Sequence, residues 1–270
     1  MLVGLVEMET LLAARPEARI AEIMDADPAV VAPGIDQEAA AWHMVEHGES
    51  SIAVVDPEGL FRGLIPPHRM LEVLLAEHDE DLARLGGFQA GTRLARRAAE
   101  EPVPRRLVHR LPWLLIGLVG AMASAVIVGA FEAQLDAKVL LALFVPAVVY
   151  MADAVGTQTE TVLIRGLSVG VKLRDVVGRE LATGAVLGLV VGTAFVPFVL
   201  LGWGDGRVAV AVALALFASC SIATLVAMAL PWTFQRFGAD PAFGSGPLAT
   251  VAQDLLSIAV YLLIATLLAT

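Results

Sequence analysis

The sequence predicts an α-helical polytopic membrane protein of five transmembrane helices that carries a small cytosolic α/β module on a connecting helix. Three observations carry this. Hydrophobic side chains make up 57% of the 270 residues and charged ones 17%, whereas soluble domains hold about 45–50% and about 25%. Mean hydropathy is +0.75. Charge is also segregated along the chain. Residues 1–81 hold 17 acids against 4 arginines, residues 82–110 hold 2 acids against 7 arginines, and residues 111–270 hold 9 acids and 7 bases. An acidic soluble part, a basic neck and a membrane body follow from that order.

The soluble part alternates strand and helix signals. Ser51 to Asp56 is a β-branched strand ending in the turn Asp56-Pro57-Glu58-Gly59, and Leu60 to Ile65 closes a hairpin. Gln37 to His47 and Pro67 to His78 read as flanking helices. Residues 79–110 are predicted helical, with breaks at Gly86-Gly87 and around Pro102 and Pro104. A module of about 65 residues buries only a marginal core, so a second copy of the chain is expected. Met1 to Glu7 has no basic stretch and no sustained apolar run, so no secretory signal peptide is expected.

A bilayer core about 30 Å thick takes roughly 20 helical residues to cross. Five segments meet that length, near 111–131, 138–162, 181–203, 208–231 and 247–269. Arg93, Arg96, Arg97, Arg105, Arg106 and Arg110 precede the first span. Arg165, Lys172, Arg174 and Arg179 lie between the second and third, and Arg236 follows the fourth. The opposite loops carry only Lys138 and Arg207. The positive-inside rule therefore puts the N-terminal module and the 163–180 loop in the cytosol and the C-terminus outside the cytoplasmic membrane. Pro146, Pro197 and Pro231, with Gly188 and Gly192, read as helix architecture.

Two spans are not charge-free. Asp254 follows Pro247 and lies about 10 Å into the fifth span by helical rise. A charge there costs at least about 2.5–3.5 kcal/mol on insertion scales and usually faces a cavity or a partner. No span offers a central Lys or Arg to pair with it. Protonation in place is the bland alternative. In the second span Asp153, Thr157 and Glu160 recur at i, i+4, i+7 and share one face, with Gln158 beside them. Carboxylate and hydroxyl oxygens suit a hard hydrated cation such as Mg²⁺. Glu160 has an equal second reading, an interfacial acid pairing with Arg165. Glu72, Glu77, Asp79, Glu80 and Asp81 form an acidic run that is either a solvated helix face or a set of carboxylates bridged by divalent ions.

Other chemistries find no residues. Cys220, the one cysteine, sits in an apolar run and reads as a packing residue. The five histidines are scattered, and no phosphate-binding loop, Walker signature or nucleophile triad is present. No enzymatic activity, nucleotide site or nucleic-acid partner is expected.

At these residues the chain resembles the MgtE family of magnesium channels and transporters, over nearly its whole length. Ala18 to Met24 and Ile52 to Gly59 resemble the family's second cystathionine-β-synthase (CBS) motif, and Leu71 to Gly86 the helix leading into its plug helix. Pro146 through Gly166 resembles the second span. Asp240-Pro241-Ala242, Gly246-Pro247, Asp254 and Tyr261 resemble the fifth. The resemblance divides the chain into a remnant of a first CBS motif (1–17), a CBS-type module (18–78), a plug-like connecting helix (79–110) and a membrane domain (111–270).

It implies a homodimer whose two copies of Asp254 face a hydrated Mg²⁺ on a central path. It also implies closure of that path by cytosolic Mg²⁺, for which Glu72, Glu77, Glu80 and Asp81 are the matching acids. The chain departs from the family where Gly-Gly-Asn-x-Gly-Asn-Gln reads Ala152-Asp153-Ala154-Val155-Gly156-Thr157-Gln158, and where an Asn before the fifth-span proline is Gly246. No counterpart of the family's N-terminal acidic domain is expected. Gly63 to Arg69 replaces the CBS nucleotide pattern. A divalent cation exchanger or exporter of other metal preference, and a non-conducting regulatory membrane protein, are the alternatives to a Mg²⁺ channel.

Overall fold

The structure, a computed structural model, describes residues 1–85, 102–168, 171, 173–237 and 245–269. It divides into two units, Met1–Asp79 and Glu80–Thr270. The predicted break at Gly86-Gly87, Arg93, Arg96, Arg97, Lys172 and the Asp240-Pro241-Ala242 motif lie outside the described residues.

In the first unit, short helices α1 (Met8–Ala13) and α2 (Ile20–Ile23) precede strand β1 (Val30–Val31). Helix α3 (Gln37–His47) then carries the chain to β2 (Ile52–Val55), which pairs in parallel with β1 and antiparallel with β3 (Phe61–Ile65). Asp36 starts α3 by accepting from the backbone N–H groups of Glu38 and Ala39 at 2.9 and 3.3 Å. Gly48, at φ +67°, ends it in the left-handed conformation that glycine adopts without strain. Ala40, Ala41 and Met44 on α3 close over Val31, Ile52 and Met70 to form the core.

The hairpin forms as predicted, with strands one residue shorter at the turn. Asp56 Oδ1 accepts from the Leu60 N–H at 2.8 Å and Oδ2 from Arg62 at 2.7 Å, so Leu60 belongs to the turn and the strand starts at Phe61. The Leu60 amide, then the Arg62 guanidinium, hold the Asp56 carboxyl below the usual carboxylate range against the opposing effect of burial. Helix α4 (Pro67–Leu85) begins at a proline, whose missing N–H has no helical partner to lose there. It runs on from the predicted helix Pro67 to His78 into the stretch predicted helical beyond it. Helices α1 and α2 and strand β1 are too short to leave a periodic signal in the sequence.

Among its described residues the second unit holds five helices long and apolar enough to cross a membrane: Arg110–Ala130, Val139–Leu167, Leu173–Trp203, Gly206–Phe234 and Gly246–Ala269. They belong to α5 (Val103–Ala130), α7 (Val145–Ser168) with its lead-in, α8 (Leu173–Trp203), α9 (Gly206–Arg236) and α10 (Ser245–Ala269). A six-residue helix, α6 (Glu132–Ala137), follows α5. The second span differs from its prediction as one continuous helix. Val139–Phe144 is a 3₁₀ segment, and α7 opens with Pro146 in its first turn, where proline costs no hydrogen bond.

Helix α9 is the centre, packed against α7, α8 and α10; α10 also packs against α5 and α7. Close approach of α8 to α9 requires glycine. A Cβ at Gly192 would lie 2.6 Å from the Ala213 carbonyl oxygen, and one at Gly188 would lie 2.9 Å from that of Phe217. At the C-terminal end of the body, Lys138 Nζ pairs with Asp205 at 2.7 Å and donates to the Ala269 carbonyl at 3.1 Å. Asp205 also caps α9, accepting from the Arg207 and Val208 N–H groups, each at 3.0 Å. The Lys138 bond first, and the Val208 N–H next, hold the Asp205 carboxyl below the usual range.

Candidate functional site

Helices α7 and α10 run antiparallel in contact. Tyr261 on α10 donates to the Leu141 carbonyl just before α7 at 2.6 Å, and Lys138 reaches Ala269. That register brings the two charged stretches of the membrane body to one level. Thr250 Oγ1 on α10 donates to Asp153 Oδ1 on α7 at 3.2 Å. Asp254 stands one turn beyond Thr250 on the same face, so Asp153 and Asp254 lie at the same level of the two packed helices. Both carboxylates are half-buried.

The structure therefore unites Asp254 and Asp153, which the sequence offered separately. Thr157 and Gln158 follow Asp153 along α7 and are exposed on the single chain, as is Thr250. Two carboxylates, two hydroxyls and an amide thus mark a polar stretch shared by these two helices. Glu160 is only 4% exposed and does not lie on that open surface. Such oxygens can neutralise a dication and accept hydrogen bonds from its hydration water, the arrangement Mg²⁺ favours because it dehydrates reluctantly. The repulsion of two carboxylates in a low-dielectric setting is relieved by a cation between them.

The acids of α4 are arranged differently. Glu72 pairs with Arg69 at 2.8 Å, and Glu77 accepts from the Gln37 amide. Glu80 and Asp81 lie on the same helix, and their side chains are outside the described residues. Among the described residues, no three acidic, His or Cys side chains converge on a point that could hold a metal ion.

Sequence reasoning missed Thr250 and Gln253. Thr250 carries a signal in retrospect, since it stands i−4 from Asp254. Gln253 carries none, because a glutamine beside an aspartate in a span reads as more of the same polar interruption. Its side chain is 2% exposed, and its amide nitrogen reaches the Ala223 carbonyl of α9 at 3.4 Å. It abuts Gly156 of α7, where a Cβ would overlap the amide.

Residues 145–264 match the MgtE family model, described as a divalent cation transporter. The chain is 33% identical over 269 residues to the magnesium transporter MgtE of Thermus thermophilus, covering 98% of this chain and 59% of that protein. It is 28% identical to the magnesium transporter MgtE of Bacillus subtilis and 26% identical to that of Enterococcus faecalis, covering 98% of this chain and 58% of the relative in each case. The chain thus spans under three fifths of the length of these curated relatives.

Proposed function

The chain belongs to the MgtE family, and from that premise we propose that its membrane body conducts Mg²⁺ passively across the cytoplasmic membrane. The observation that carries this reading is that Thr250, one turn before Asp254 on the fifth span, donates to Asp153 on the second, which sets the two acids at one level beside a polar surface open at the side of the single chain. A polar face cannot rest against lipid without cost. A second copy presenting the same face would cover it, turning each pair of carboxylates into a ring of four around a hydrated ion. Asp254, Asp153, Thr157 and Gln158 line that path in this reading, with Glu160 behind it. The homodimer is supported by this open face, and Mg²⁺ as the ion by the curated relatives' printed name, magnesium transporter.

An inside-negative potential supplies about 2.3 kcal/mol per charge per 100 mV, so a dication gains twice that on crossing and needs no coupled energy source. The arginine distribution supports a cytosolic N-terminal module and an external C-terminus. Residues 18–78, as a CBS-type module, and 79–110, as a connecting helix, are proposed to sense cytosolic Mg²⁺ through Glu72, Glu77, Glu80 and Asp81. The basis is the density of acids on α4.

Mg²⁺ uptake into proteoliposomes under an imposed inside-negative potential tests the path. Asp254→Ala is expected to abolish uptake above background. Wild-type flux in that variant would sink the assignment.

A further inference from the structure

An amide buried in a membrane interior is costly unless its groups find partners, and Gln253 is such an amide. It is 2% exposed, and among the described residues its carbonyl oxygen accepts no hydrogen bond. Leu, Ile and Val, abundant elsewhere on α10, would fill the same volume at no such cost. The reason for an amide has to lie in what it touches. Gln253 adjoins Asp254 in sequence and stands i+3 from Thr250. It touches two other helices at once, Gly156 of α7 and the Ala223 carbonyl of α9. Gly156 itself is i+3 from Asp153 and adjacent to Thr157. The amide therefore sits immediately behind both polar stretches of the candidate path.

We propose that Gln253 is a positioning residue: seated against Gly156 and hydrogen-bonded to Ala223, it fixes the rotation of α10 so that Asp254 and Thr250 face Asp153. Helix rotation is the coordinate that matters here. With side chains reaching about 6 Å from the axis, a turn of about 20° swings a carboxylate by about 2 Å. That distance separates a hydrogen bond to a hydration water from none. An apolar side chain at 253 packs but does not select one rotation. An amide donating to one fixed carbonyl does. Glycine at 156 is the complement, because any larger residue there would push the amide out of its seat. Gln253 does not touch the ion; it acts through Asp254. This inference rests on the ion path proposed above.

The test measures the half-saturating Mg²⁺ concentration and the maximal uptake rate in proteoliposomes, per folded protein, alongside the melting temperature in detergent. Gln253→Met keeps the length and flexibility of the side chain and removes the amide. It is expected to raise the half-saturating concentration about 10-fold, at the lower end of the roughly 10–100-fold losses seen when groups that orient metal ligands are removed. Gln253→Asn keeps the amide one methylene short and is expected to fall between Met and wild type. It serves alone if the Met variant does not fold. Gly156→Ala is expected to raise the half-saturating concentration as well. Gly156→Ala/Gln253→Ala is expected to recover the melting temperature while keeping the weakened affinity. A packing role alone would lower the melting temperature and leave half-saturation unchanged.

Wild-type half-saturation in the Met and Asn variants, with Asp254→Ala inactive, overturns the positioning role and leaves the ion path standing. Wild-type uptake in Asp254→Ala overturns the path and this inference with it.

Discussion

Asp205 performs two tasks at the end of the membrane body, and substitutions separate them. Its carboxylate caps α9 through two backbone N–H groups and pairs with Lys138, which in turn holds the last turn of α10 at Ala269. Loss of an N-cap costs about 1 kcal/mol. The Lys138–Asp205 side chains are 25% and 27% exposed, so solvent screens their pairing and about 0.5–1 kcal/mol is the appropriate size. Asp205→Ala loses both and should cost about 1.5–2 kcal/mol. Asp205→Asn keeps the cap and loses the charge, and Lys138→Met loses the pair; each should cost about 0.5–1 kcal/mol.

A stability change of 1 kcal/mol moves the melting temperature of a chain of this size by about 2–4 °C. Thermal unfolding in detergent should therefore show drops of about 3–8 °C for Asp205→Ala and about 1–4 °C for each of the others. Lys138→Met/Asp205→Asn should melt near Lys138→Met alone, since the second substitution removes a pairing the first has already broken. The sign with pH follows from the lowered pKa of Asp205, whose ordinary value is 3.8. Folding favours the ionised form, so the contribution is whole well above that value and is lost as pH falls through the lower folded value. The gap between wild type and Asp205→Asn should hold through neutral and mildly acidic pH and close in strong acid. Additive losses in the double variant, or equal melting of Asp205→Ala and Asp205→Asn, would refute this account.

Two further outcomes are expected. Gly192→Ala should destabilise the membrane body by about 1–3 kcal/mol through overpacking, because the obstacle is the Ala213 backbone oxygen at 2.6 Å. Gly117→Ala, with open space around it, should leave the melting temperature in place; equal effects would count against the α8–α9 contact. Thr250→Val, which keeps the shape but removes the donor to Asp153, should lower Mg²⁺ uptake several-fold at sub-saturating concentration. Unchanged uptake would argue that the bond does not organise the path.

Much of the architecture was legible because it is local. A membrane-spanning helix is specified by about 20 apolar residues in a row, and all five appear where hydropathy puts them. The hairpin was legible because Asp56, Pro57 and Gly59 have conformational preferences that need no distant partner. The 3₁₀ segment Val139–Phe144 was not, since its residues are as apolar as any helix, and the core that Leu141 and Phe144 enter is built from residues far along the chain. Asp254 was legible as a costly charge without an intramembrane basic partner. Gln253 was not, because its meaning lies in Gly156, 97 positions away, and Ala223, 30 positions away.

By itself, then, the sequence determined that this chain enters a membrane five times, that a small α/β module precedes the spans, and that acids interrupt two of them. Each of these is a sum over neighbouring residues, and solvent transfer reads such sums directly. Only the tertiary structure decided that the two interruptions meet, through Thr250 and Asp153, and that an amide stands behind them. Which helix faces which depends on how side chains of different helices fit in volume and hydrogen bonding. No single stretch of chain contains that fit.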